Sequence, residues 1–140
     1  MYKYIEPEVA GGLGKKTIMK INVHPPFVEK LNYEFSGWLG DDILESFPCF
    51  IVSERLKNGI ENNNLTGINF DDVIITKSNE FIDLYPDKKL PKFYWAKING
   101  EIYIDDFIIG KDYRLMISER AFHSLNLFNV KNAHFENIEK

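Results

Sequence analysis

Two pairs of adjacent carboxylates, Asp41-Asp42 and Asp105-Asp106, each stand shortly before the same tripeptide, Ser-Glu-Arg, at 53–55 and 118–120. Four carboxylates brought together could hold a hard cation such as Mg²⁺ or Ca²⁺, or supply a general acid and a general base. Neither pair has the spacing of an EF-hand loop. The three histidines, His24, His123 and His134, stand in no H-E-x-x-H or comparable ligand pattern. No G-x-S-x-G elbow presents a nucleophilic serine. The run GGLGKKT at 11–17 fails as a phosphate loop, because Val9 stands where the first glycine is needed and Lys16 where Ser or Thr is needed. A strand pattern follows it, whereas a helix N-terminus is the physical basis of such a site. Cys49, the single cysteine, lies in the apolar run PCFIV, as a buried, inert thiol would. Capping and turn roles account for the aspartate pairs, so no metal and no cofactor is expected. A small enzyme or a ligand- or metal-binding domain using Asp41/Asp42 and Asp105/Asp106 is the alternative.

The tripeptides belong to a longer match. Residues 50–73 and 115–138 align without a gap at an offset of 65. Phe50, Ile51, Val52, Leu56, Ile60 and Leu65 fall opposite Leu115, Met116, Ile117, Ala121, Leu125 and Val130. Each stretch reads as strand, helix, strand. Ser53 and Ser118 have the chemistry of N-caps, and Glu54 and Glu119 then sit at the positive end of a helix. Asn62-Asn63-Asn64 ends the first helix, since asparagine competes for backbone hydrogen bonds and tolerates turns. The expected units are a strand at 49–52, a helix and a strand at 68–76, then a strand at 113–117, a helix to about 127 and a strand near 133–138.

Elsewhere the pattern predicts a strand in 16–23, stopped by His24-Pro25-Pro26. Residues 27–35 fit neither period. Asp41 reads as the cap of a short helix ending at Pro48. Asn99-Gly100, between FYWAKI and EIYIDDF, predicts a type I′ hairpin. YPDKKLP reads as a surface loop. The sum is an α+β fold, a mostly antiparallel sheet with a few short helices and two copies of a strand–helix–strand unit near 49–76 and 113–138, in one domain spanning 1–140.

An apolar fraction of 44% is enough for a sizeable core without disulfide or metal staples. No signal-peptide layout opens the chain and no run approaches 18 apolar residues, so a soluble cytoplasmic protein is expected, with no membrane partner. Residues 35–80 hold eight acidic and three basic side chains, a balance of −5, against −4 for the whole chain. Such a surface repels phosphates, which disfavours nucleic acid, and attracts a basic protein partner. Trp38, Tyr94, Trp95, Tyr103 and Phe107 add aromatic bulk that serves as core where buried and as an interface anchor where exposed.

At PEVAGGLG, SGWLGDDILESFPCFIVSERL, LTGINFDDVIITKS, LPKFYWAKI and RLMISERA, the chain resembles small bacterial immunity-type proteins of polymorphic toxin systems, many of them known only as hypothetical proteins. The resemblance runs over most of the chain and brings no catalytic residues with it. It implies a cytoplasmic protein that binds and neutralises a cognate protein toxin without chemistry of its own. The acidic, aromatic middle would be its binding surface, with Trp38, Asp41, Asp42, Glu45, Asp71 and Asp72 as partner-binding residues.

Overall fold

The computed structural model describes residues 1–138. In chain order the described elements are strands β1 (Tyr2–Glu6), β2 (Gly11–Leu13), β3 (Ile18–Lys20), β4 (Phe27–Lys30), β5 (Asn32–Phe35), β6 (Ile43–Ser46) and β7 (Cys49–Ser53). Helix α1 (Glu54–Asn62), strands β8 (Ile68–Asp71) and β9 (Ile74–Lys77), and helix α2 (Asn79–Leu84) follow. The chain then forms β10 (Phe93–Ile98), β11 (Phe107–Ile109), β12 (Leu115–Ser118), α3 (Glu119–Leu125) and β13 (His134–Asn137). The fold is mixed α/β with mostly antiparallel pairing; β5 and β9 run parallel.

Two hydrophobic cores organise these elements, and β7 divides them. All five of its residues are buried. Successive side chains of a strand point to opposite faces, so Phe50 and Val52 enter one core while Cys49 and Ile51 enter the other. The first core packs α1 and α3, through Leu56, Ile60, Ala121 and Leu125, against Ile5, Phe107, Leu115 and Ile117. The second gathers Leu31, Tyr33, Phe35, Phe81, Phe93 and Trp95. Residues 27–35 fit no single period because the chain there passes from an exposed strand, β4, into a buried one, β5, whose Asn32 is also buried.

The two four-stranded sheets have the orders β6-β7-β10-β8 and β11-β12-β1-β13. In the first, Trp95 lies opposite Ile51 on one side and Asp71 on the other. In the second, Tyr4 lies opposite Met116 and Glu136. Met116 and Glu136 are the positions 65 residues beyond Ile51 and Asp71.

Local capping chemistry sets the helix starts. The Ser53 hydroxyl accepts from the Leu56 N–H at 3.3 Å and the Ser118 hydroxyl from the Ala121 N–H at 3.1 Å. Ser78 caps α2 in the same way, accepting from Phe81 at 3.1 Å. That helix was not anticipated from sequence, although a serine followed by Asn79-Glu80 was its signal. Asn63 caps the end of α1 and Asn64 takes a φ of 54°. Ser53→Ala and Ser118→Ala should each destabilise the protein by about 1–2 kcal/mol, and Ser78→Ala by about 1 kcal/mol or less. The difference arises because Ser53 and Ser118 also donate to buried aspartates. Urea unfolding of the three variants checks the ranking.

Three expectations are corrected. Residues 41–48 form no helix: β6 and β7 make an antiparallel hairpin in which Ser46 pairs with Cys49 across Phe47-Pro48. Ile43 and Leu44 thereby enter opposite cores, an alternation of period two that a helix could not provide. The stretch 68–76 is two strands, since Asp72-Val73 interrupts it and β9 leaves to join β5. Asn99-Gly100 does not turn a hairpin, and neither residue takes a positive φ. Here β10 pairs with β7 and β8, and residues 99–106 carry the chain to the other four-stranded sheet. Gly100 is needed for space: a Cβ on it would stand 2.0 Å from the Phe107 carbonyl oxygen and 3.0 Å from the Gly67 Cα. The strand expected in 16–23 shortens to β3.

Candidate functional site

Asp42 and Asp106 are the most heavily engaged polar groups in the fold. Asp42, 3% exposed, accepts from the Ser53 hydroxyl at 2.7 Å, from Arg55 Nε and Nη2 at 2.8 and 2.6 Å, and from the Asn129 N–H at 2.7 Å. Asp106, 5% exposed, accepts from the Ser118 hydroxyl at 2.6 Å, from Arg120 Nε and Nη2 at 2.9 and 2.8 Å, and from the Thr66 N–H at 2.8 Å. Each carboxylate thus joins three things: a helix N-cap, the arginine two residues after that cap, and the loop following the other helix. Asp42 reaches the loop after α3, and Asp106 the loop after α1. Arg120 adds a bond to the Asn64 carbonyl at 2.8 Å.

These surroundings set the charge state. Burial alone would raise the Asp42 carboxyl, but the hydrogen bonds from Arg55, Ser53 and Asn129 and the Arg55 charge outweigh it and hold the group below its ordinary value. Asp106 follows the same balance, with Arg120, Ser118 and Thr66 overcoming desolvation. A carboxylate so depressed and so fully occupied is a poor general base. Bidentate guanidinium pairing satisfies it in place.

The remaining members of the aspartate pairs have different partners. Asp41 is fully buried and accepts from the Asn132 N–H and side-chain amide, both at 2.9 Å. Asp105 accepts from the Glu101 N–H at 2.7 Å, closing the turn ahead of β11. Among the described residues no group of three or more His, Cys, Asp or Glu side chains could hold a metal ion. Cys49 is buried and its thiol is pushed up to about 12 by desolvation. Tyr33 is likewise raised to about 12, chiefly by burial, while its hydroxyl donates to the Glu45 carbonyl and accepts from the Ala10 N–H.

Of the other sequence-derived positions, Trp38 is half-buried. Its indole N–H donates to the Asp41 carbonyl at 2.9 Å, and Lys88 Nζ lies over the ring at 5.6 Å. Asp71 and Asp72 are exposed at the end of β8, where they border a cleft of about 250 Å³ with Glu29, Lys30 and Trp95. Asp71 is paired with Lys97 at 2.9 Å, and Lys97 also lies over Trp95 at 4.3 Å. The aromatic residues do not form one cluster: Phe107 and Trp95 belong to different cores, and Tyr103 is exposed.

Glu45 is half-buried on β6, and its carboxyl is raised by burial and by repulsion from Glu6. Its folded value therefore lies above its unfolded value of 4.5, so the ionised form opposes folding at neutral pH, and that cost fades as pH falls through the folded value and is gone below 4.5. Glu45→Gln should accordingly raise the urea midpoint at pH 7, and the gain should vanish near pH 4. Equal midpoints at pH 7 would contradict the placement.

Sequence reasoning missed residues 18–27. Ile18, Met19, Ile21, Val23 and Phe27 are all solvent-exposed, Ile21 to 78% and Phe27 to 56%. They lie on an arm formed by β3 and β4, a two-stranded sheet of its own. The arm is held at both ends. At its root Thr17 exchanges hydrogen bonds with the Asn32 backbone, each 3.0 Å, and the Asn32 amide reaches the Ile74 carbonyl and Thr76. At its tip the His24 ring meets Tyr113 edge-on at 5.2 Å and lies 6.3 Å from Phe47. The apolar residues of 18–28 were visible in sequence, but nothing local says that the body leaves them uncovered.

The chain matches no protein-family model and no curated protein sequence. Among the described residues, no helix is long and apolar enough to cross a membrane.

Proposed function

We propose that this chain is a cytoplasmic immunity-type protein that neutralises a cognate protein toxin by binding it, with no chemistry of its own. The observation that carries this reading is the run of solvent-facing apolar side chains at 18–27, on an arm fixed at root and tip. Contiguous exposed apolar surface on a folded protein marks a contact site. A surface held in place before contact loses little freedom on binding. The carboxylates best suited to chemistry, Asp42 and Asp106, are fully engaged as ties between elements. Asp71 and Asp72, with Trp95 in the cleft at the arm's root, extend the contact surface in this proposal.

The β7-α1-β8 and β12-α3-β13 segments are, in this view, two copies of one unit, each completed by a strand from elsewhere, β10 or β1. The constant offset of 65 in their strand registers supports this. The duplication supplies a rigid frame, and the β3–β4 arm is an addition that neither copy contains.

The test is direct. The chain and the toxic domain encoded beside it are co-expressed and then co-purified. A stable complex and restored growth are expected. Absence of both defeats the proposal.

A further inference from the structure

The charge of the arm is opposite to that of the body. Residues 15–30 carry Lys15, Lys16, Lys20 and Lys30 against Glu29, a balance of +3, so with −4 for the whole chain the remainder stands at −7. Lys15, Lys16, Lys20 and Lys30 are all exposed, and among the described residues only Lys20 of the four is ion-paired, with Glu29 at 3.7 Å. The exposed Ile18, Ile21, Val23 and Phe27 lie between them in the chain.

From this pattern we propose that the β3–β4 arm seats in an apolar groove with an acidic rim on the partner protein. This inference rests on the toxin-binding reading and specifies the partner's surface. Apolar side chains supply the buried contact, and the flanking lysines require carboxylates at its edge. An anionic bilayer or a nucleic acid offers negative groups too, but as an extended negative surface it repels a body at −7. A protein groove presents its charge locally. A second copy of this chain is the weaker candidate for that rim, because a number of its acidic groups are already engaged. Asp41 and Asp42 are inside, Glu61 pairs with Lys57 and Asp71 with Lys97. The arm's tether at His24 and its root at Thr17 and Asn32 keep the strand pair presented for docking.

The experiment measures binding kinetics of the purified chain to the toxic domain proposed as its partner. Ile21→Asp/Phe27→Asp should weaken affinity at least a hundredfold and abolish growth rescue. Lys15→Glu/Lys16→Glu/Lys20→Glu, all at exposed positions that the core does not use, should slow association about tenfold and flatten its salt dependence. Asp83→Lys/Asp87→Lys, at exposed positions outside the arm and the cleft at its root, should leave that salt dependence in place. Should the apolar pair impair folding, the lysine variant decides alone. Wild-type affinity in the arm variants overturns the arm proposal while leaving toxin binding intact. A wild-type dimer dissociated by these substitutions, or arm-dependent binding to phosphatidylserine vesicles, also overturns it. Failure of the wild-type chain to bind the toxic domain removes the toxin-binding reading and the arm proposal with it.

Discussion

Replacing Asp42 or Asp106 by alanine is expected to lower the unfolding free energy by about 3 kcal/mol. The loss has identifiable parts. At Asp42 the Ser53 hydroxyl and the Asn129 N–H lose a buried acceptor; at Asp106 the Ser118 hydroxyl and the Thr66 N–H do. The arginine side chains, 63% and 58% exposed, can turn to water. That keeps the cost toward the lower end of the range for breaking a buried pair. The effect should also cross the molecule. Without Asp42 the amide of Asn129 should exchange faster, and without Asp106 that of Thr66, although each lies in the loop after the opposite helix.

The pH dependence has a defined sign. Both carboxyls are held below the unfolded value of 3.8 in the folded state, so their contribution is fully present above that value. It fades as pH falls through the folded values. The gap in stability between wild type and an Asp42→Asn/Asp106→Asn variant should therefore be constant from pH 7 to about 5 and narrow below pH 4. A gap that persists undiminished into strong acid would show that the carboxylate charge is not what ties these corners together.

Gly100→Ala should cost on the order of 3 kcal/mol or more, lowering the melting temperature by about 10 °C. The cause is space alone, because Gly100 has no positive φ. Its Cβ would lie 2.0 Å from a backbone oxygen and 2.8 Å from the Asp105 Cβ, where the chain crosses from one four-stranded sheet to the other. Backbone on both sides leaves little to move. Gly12→Ala is the control: nothing lies within 4 Å of its added Cβ, and a change within about 0.5 kcal/mol is expected. Scanning calorimetry of the two variants separates close packing from general loss of a glycine.

How far the fold was legible follows from the range of each interaction. Ser53 and Ser118 could be assigned because a cap and its helix are three residues apart. The end of α1 at three asparagines was legible for the same reason. The hairpin of β6 and β7 was not, because GDDILESFP is as compatible with a capped turn of helix as with a strand. What decides is the position of Ile43 and Leu44 between two cores that neighbouring sequence does not specify. Gly100 was assigned to a turn because Asn-Gly is a strong local signal, and its true partner, Gly67, is thirty-three positions away.

The candidate site divides along the same line. Asp71 and Asp72 were legible as surface acids, but the strand end that carries them was not, since 68–76 read as one strand. Asp41 and Asp42 looked alike in sequence, yet both are buried and bound by the loop at 129–132, about ninety residues distant. The arm went unnoticed because exposure of Ile21 and Phe27 depends on what the rest of the chain leaves uncovered. No spacing rule within 15–30 encodes that.

Titration calorimetry of the chain against the purified toxic domain proposed as its partner, at several temperatures, tests the central claim most directly. The account predicts a saturable complex that suppresses toxicity, with a negative heat-capacity change from burial of the arm's apolar side chains. Absence of saturable binding, together with undiminished toxicity on co-expression, would contradict it.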